Sequence, residues 1–141
     1  MTYTPPVSQD LAMTGIQKFM NRKPIAVTHS ATISTAISAM LTHGVSGLAV
    51  VDDSASLLGY YSEMDALLQA ASGDVSAAIK FKKPALSIKM QTVFKDALIL
   101  MVSKKLKSIP VVDDRNKLVG SLSRRDLMSA LFEDSKKGPK K

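Results

Sequence analysis

The sequence predicts a mixed α/β (α+β) domain in which one β-α-β-β-α unit is used twice. Two three-stranded sheets should pack around a pseudo-twofold axis with the helices outside. Three observations predict this. First, the stretch "GLAVVDDSASLLGYYSEMDA" (47–66) returns as "SIPVVDDRNKLVGSLSRRDL" (108–127). Val50-Val51-Asp52-Asp53, Gly59, Ser62 and Asp65 recur 61 positions later as Val111-Val112-Asp113-Asp114, Gly120, Ser123 and Asp126, and Ala36 and Met40 recur as Ala97 and Met101. One register held over so many positions marks a duplicated structural unit. Second, the apolar period switches between strand-like and helix-like in the same order within each copy. Third, one unit has too few layers to bury both faces of its own sheet, so two must share an interior.

The elements follow in order. An opening helix over 8–20 should pack "IQKFM" (16–20) on the first unit, with "VSAAIKF" (75–81) in the matching place before the second. "PIAVT" (24–28) and "PALSI" (84–88) are short strands opened by proline, where a missing donor matters least. The preceding lysine makes Lys23-Pro24 the counterpart of Lys83-Pro84, displaced by 60, so a one-residue indel separates the copies. "TISTAISAMLTHG" puts Ile33, Ile37, Met40 and Leu41 on one helical face and stops at Gly44. "TVFKDALILMVSKK" does the same with Val93, Ala97, Leu98, Met101 and Val102, and its lysines suit a helix C-terminus. "GLAVVD" and "SIPVVD" are near-continuous apolar runs, hence buried strands. "DDSAS" and "DDRNK" are turns, and "LLGYYS" and "KLVGSLS" return as hairpin partners. "SEMDALLQAA" and "SRRDLMSALF" close the units as amphipathic helices. The boundaries so read are an N-terminal extension with the start of a helix (1–15), a first motif (16–73), a second motif (74–132) and a basic disordered tail (133–141).

Composition narrows the function. With 141 residues, 45% hydrophobic and 22% charged, the chain has an ordinary globular balance. It has no cysteine, which removes disulfides and thiolate metal sites. The start "MTYTPPVSQDL" lacks a secretory pattern and no apolar run nears the roughly 20 residues of a membrane span, so a cytoplasmic protein is expected. The net charge of +7 gathers in "KFKK", "KKLK", "RR" (124–125) and the tail "KKGPKK". Such a surplus suits polyanions, yet with no tryptophan and few aromatics a nucleic-acid partner is not expected.

Candidate chemistry is sparse. His29 and His43 are too few and too poorly spaced for a metal site, and His43 reads as helix-terminal. The Asp52-Asp53 and Asp113-Asp114 pairs fall in hairpin turns, where aspartate bonds to nearby amides, rather than forming an acid/base couple. Nucleotide-loop and nucleophile-elbow motifs are missing, so no enzyme is expected. Ser62-Glu63-Met64-Asp65 and Ser123-Arg124-Arg125-Asp126 remain. Either both are capping boxes that fasten a helix start, or they also hold a ligand.

A proline-started strand, an amphipathic helix, then "SIPVVD", an acidic turn and "LVGSLSRRDL", all in two copies, resemble the tandem cystathionine β-synthase (CBS) motif, or Bateman module, over about residues 16–132. The resemblance implies a stand-alone regulatory or sensor module without enzymatic activity, a homodimer that transmits ligand occupancy to an unidentified partner. The implied ligand contains adenosine: AMP, ADP or ATP, with S-adenosylmethionine as the alternative. In the second cleft it implies Asp126 on the ribose hydroxyls and Ser123 at the phosphate or ribose edge. Thr28, Val45 and Ser46 would surround the adenine with Ile33 lining the slot, and Lys107 and Ser108 would approach the phosphate. Arg124 and Arg125 should make this cleft basic. The weaker first cleft would use Ser62, Asp65, Ile88, Leu106 and Lys107, and there Glu63 would repel a phosphate. The rival readings are a ligand-free dimerisation or adaptor module whose Ser-x-x-Asp pairs are only caps, and a polyanion-binding protein.

Overall fold

A computed structural model describes residues 7–137. After a short helix α1 (Gln9–Ala12) and a 3-10 turn (Ile16–Lys18), the first unit comprises β1 (Ala26–Thr28), α2 (Ile33–His43), β2 (Gly47–Val51), β3 (Leu57–Ser62) and α3 (Glu63–Ser72). The second comprises β4 (Ile88–Lys89), α4 (Phe94–Ser103), β5 (Ser108–Val112), β6 (Leu118–Ser123) and α5 (Arg124–Lys136). In each, the first strand runs parallel to the second and the third returns antiparallel, giving sheets β1-β2-β3 and β4-β5-β6. Even the irregularities are duplicated: the ladder shifts between Val50 and Val51 and again between Val111 and Val112.

Strand alternation sorts each sheet into two faces. Leu48, Val50 and Tyr61 turn toward the helices of the first unit, and Ile109, Val111 and Leu122 toward those of the second. The opposite faces meet each other over a thin layer of Ala49, Leu57 and Val112 with Ala26, Ala85 and Leu118. Small side chains there let the sheets approach closely.

The two hairpin turns tie the units together at the pseudo-axis. The Leu57 amide donates to the Asn116 carbonyl (3.0 Å) and the Leu118 amide to the Ala55 carbonyl (2.9 Å). The Asn116 side chain adds a bond to the Leu57 carbonyl (2.9 Å). Ala55 and Asn116 are counterparts and both are left-handed, at φ 65° and 63°. Alanine pays for that conformation with steric strain that asparagine tolerates better. Ala55→Asn should therefore relieve strain and place an amide to reach the Leu118 carbonyl, as Asn116 reaches Leu57. We expect a gain of about 1 kcal/mol, read as a melting temperature a few degrees higher; an unchanged or lower value would refute it.

Four expectations are corrected. The opening helix does not run over 8–20: it ends at Ala12, and Gly15 is extended, bridging to Val93. Nor does this segment pack on the first unit. Leu11, Ile16 and Met20 join Phe94, Met101 and Leu127 in the core of the second. In exchange, Ile79 from the linker packs with Ile33, Met40 and Tyr61 of the first. Residues 75–81 cannot be helical because their backbone groups are spent on the start of α2: the Ala77 carbonyl accepts from Ile33 (2.9 Å) and the Ile79 amide donates to Ala31 (2.9 Å). Asn21 pairs with Ser121, and Lys82 with Tyr60, so each lead-in adds a bridge to a last strand, that of the other unit for Asn21 and that of the preceding unit for Lys82. Gly59 and Gly120 permit this: a Cβ would stand 2.2 Å from the Lys82 carbonyl and 2.6 Å from that of Asn21, respectively.

Third, "PALSI" pairs as a strand only from Ile88, and the helical stripes are narrower than expected. Leu41 is 78% and Val102 67% exposed, because Met40 and Met101 already fill the core one residue earlier. Fourth, α5 extends to Lys136, so residues 133–136 are helical rather than tail; residues 138–141 lie outside the described residues. Among the described residues no helix is long and apolar enough to cross a membrane.

Candidate functional site

A cavity of about 260 Å³ opens at the seam between the units. That is near the lower end of small-molecule sites, roughly 300–1,000 Å³. The approach to β1 contributes Asn21, Pro24 and Ile25; the end of α2 and start of β2 contribute His43, Val45, Gly47 and Ala49, with Tyr60 from β3. From the second unit come Ser108, Ile109 and Pro110 on β5, Leu118, Gly120 and Ser121 on β6, and Ser123 and Asp126 where β6 turns into α5.

Ser123 caps α5, its hydroxyl accepting from the Asp126 amide (3.1 Å). Asp126 Oδ2 accepts in return from the Ser123 amide (2.8 Å). The capping box is complete, yet it uses one carboxylate oxygen. Oδ1 has no hydrogen-bond partner among the described residues, and Asp126 still lines the cavity. Fastening the helix and facing a ligand are compatible duties for this side chain.

Of the residues expected in the second cleft, Val45, Ser108, Ser123 and Asp126 converge on the cavity and six do not line it. Thr28 is exposed beside Val51, at the far end of β1. Because β1 and β2 are parallel, the residues that accompany the start of β2 are those that enter β1, namely Pro24 and Ile25. Ile33 is sealed in the core of the first unit at 2% exposure. Ser46 contributes its carbonyl to the Glu63 amide (2.9 Å), and Lys107 its carbonyl to the Arg124 amide (3.0 Å), while the Lys107 residue stays exposed. Arg124 turns away from the cavity: its Nε donates to the Leu106 carbonyl (2.6 Å) and Nη2 to that of Lys105 (2.9 Å). These carbonyls lie just past the end of α4, where a helix terminus is negative. Arg125 is exposed and makes no hydrogen bond or ion pair among the described residues. The expectation of a basic cleft is thus corrected.

The first cleft differs. Ser62 and Asp65 form the same capping box (3.1 and 3.0 Å), but Asp65 Oδ1 lies 3.8 Å from Lys82 Nζ. Tyr60 stands where the second unit has Ser121; its ring crosses Gly47 so closely that a Cβ there would be 2.3 Å from the hydroxyl, and both residues line the Asp126 cavity, not this cleft. Ile88 is buried in the core of the second unit, and Leu106 belongs to an outer groove with Leu98 and Leu131, not to a seam. Lys107 is exposed, and its carbonyl accepts from the Arg124 amide of the second unit. The aspartates of the turns do what turns require. Asp52 accepts the Ser56 and Ser54 amides (both 2.9 Å) and Asp113 those of Lys117 and Arg115 (2.9 and 2.8 Å), which hold both carboxyls below the ordinary aspartate value.

Residues not anticipated include Asn21, Pro24, Ile25, His43, Tyr60 and Ser121. Pro24 belongs to the repeated Lys-Pro, which the sequence shows, although its counterpart Pro84 does not line the cavity. His43 had no signal beyond its place at a helix end.

Comparison with known proteins adds to this geometry. The profile described as "CBS domain" matches residues 16–71 and 75–133. Inosine-5'-monophosphate dehydrogenase of Methanocaldococcus jannaschii is 32% identical over 106 residues, 74% of this chain; the chain spans only 21% of that protein's length. A crystal structure of CBSX2 in complex with AMP superposes with a TM-score of 0.73 at 25% identity, covering 86% of this chain and 98% of that one. A CBS domain pair crystallised with 5'-methylthioadenosine and S-adenosyl-L-methionine gives a TM-score of 0.68 at 21% identity, covering 84% and 99%.

Proposed function

Because the chain belongs to the CBS domain family and carries the domain as a tandem pair, we propose that it is a regulatory module that binds an adenosine-containing ligand in the cleft fronted by Asp126. One observation carries this reading: a cavity at the seam in which Asp126, though it caps α5, keeps an oxygen unpartnered among the described residues. A carboxylate oxygen is an acceptor suited to ribose hydroxyls. Support also comes from the AMP complex of the similar CBSX2.

The ligand would touch both units at once, Pro24, His43 and Val45 on one side and Ser108, Ser123 and Asp126 on the other. Binding across a seam favours one relative orientation of the halves, and a partner protein that reads this orientation would sense occupancy. The role is regulatory rather than catalytic. A homodimer fits the same reading, since the outer helices expose Leu41, Leu67, Val102 and Met128, two apolar residues on each unit at equivalent positions. The ion pair that occupies Asp65 argues for one ligand per chain.

Calorimetry with AMP tests the site through the first unit's own architecture. Tyr60 requires glycine at position 47 on one wall of this cavity, and the counterparts of these two residues on the other wall are Ser121 and Ser108, so the double variant Ser108→Gly with Ser121→Tyr brings a second tyrosine ring into the space in front of Asp126. We expect one AMP per wild-type chain and none per double-variant chain, with the melting temperature of the ligand-free protein nearly unchanged. Equal binding by both proteins would place the ligand elsewhere. If neither binds AMP or S-adenosylmethionine, the module is an adaptor and the capping boxes are only caps.

A further inference from the structure

We infer that this cleft selects adenosine ligands without a phosphate chain, such as the nucleoside or its 5'-thioether, over ADP and ATP; the inference rests on the adenosine reading above. Among the described residues, none of those that line the cavity is lysine or arginine. Arg124, which follows the lining residue Ser123, has its guanidinium committed to the Leu106 and Lys105 carbonyls at 2.6 and 2.9 Å. Arg125, Lys107 and Lys23 are exposed and outside the lining, where water and salt screen their charge.

The helix start does not replace them. An N-terminus attracts anions through bare amides and the helix dipole. Here the Arg124 amide already donates to the Lys107 carbonyl (3.0 Å) and the Asp126 amide to the Ser123 hydroxyl (3.1 Å). The anion that the dipole favours is already present, as the carboxylate of Asp126 itself. A triphosphate would bring several further negative charges toward that carboxylate with no lysine or arginine among the described lining residues to offset them. An uncharged 5' substituent meets instead Val45, Ile25, Pro24 and Pro110, which are apolar. The overall charge of +7 draws polyanions toward the whole surface, but that attraction is long-range and fades with salt.

The test is calorimetric titration of the full chain with adenosine, 5'-methylthioadenosine, AMP and ATP, at low and at physiological salt. At physiological salt, adenosine and 5'-methylthioadenosine should bind at least tenfold more tightly than ATP, and any ATP heat seen at low salt should fall away. His43→Arg, a substitution at an exposed helix end, puts a permanent cation on the wall and should shift the preference toward AMP by about tenfold. ATP binding as tightly as adenosine at physiological salt would overturn the selectivity while leaving the adenosine site standing. So would an unchanged preference in His43→Arg. No heat with any of the four would overturn the site and its selectivity together.

Discussion

Ile16→Ala should destabilise the protein by about 2–5 kcal/mol, the usual cost of emptying a fully buried aliphatic position, and the damage should appear in the second unit. Ile16 has no exposed surface and packs with Phe94, Met101 and Leu127, although it precedes every element of the first unit. Its amide also donates to the Thr92 carbonyl (2.8 Å), which ties the 3-10 turn to the start of α4. In hydrogen exchange, the amides of α4 and β5 should lose protection before those of α2 and β2. Ile79→Ala should reverse the order, because Ile79 belongs to the other core. Earlier loss in the first unit on changing Ile16 would refute the exchange of lead-in segments.

Asp126→Asn should weaken adenosine-ligand binding at least tenfold, with the fold retained. The amide oxygen can still accept from the Ser123 amide, as Oδ2 does now at 2.8 Å. What goes is the charge and the second acceptor, and hydrogen bonds to a charged group contribute about 1.5–3 kcal/mol each. The loss of a carboxylate at a helix N-terminus costs only about 0.3–1 kcal/mol of stability. Asp126→Ala would add the loss of the cap, about 1 kcal/mol. The pair of variants thus separates the two duties: both should bind poorly, while alanine alone should lower the melting temperature appreciably. Wild-type affinity in Asp126→Asn would assign the side chain to capping and nothing more. Asp65→Asn is the internal control, since Asp65 faces Lys82 (3.8 Å) and should leave the stoichiometry unchanged.

The duplicated unit, its element order and both capping boxes were legible in the residues alone, because each is a local pattern. A period of two or 3.6 and a serine three positions before an aspartate are written within one turn or strand. The paired sheets followed from the smallness of one unit. The site was legible in part. Ser123 and Asp126, whose motif is continuous in sequence, line the cavity, whereas Thr28, expected there, lies at the far end of β1 and Pro24 and Ile25 line it instead. That error was one of direction: the sequence shows a strand, but only its pairing shows which end accompanies the start of β2.

Arg124 makes the same point for charge. Its position beside Asp126 suggested an anion site, but the carbonyls of Lys105 and Leu106 lie within its reach and hold the guanidinium there. The sequence by itself determined the order of strand, helix, turn and cap within the repeat and that the pattern occurs twice, but not what the two lead-in segments become. Only the tertiary structure decided which core receives Ile16 and Ile79, which way Arg124 points and which cleft stays open. The physical reason is that backbone propensity and apolar period act over a few residues, whereas burial and charge pairing choose partners by proximity in space, and an apolar side chain fits either core until the chain is folded.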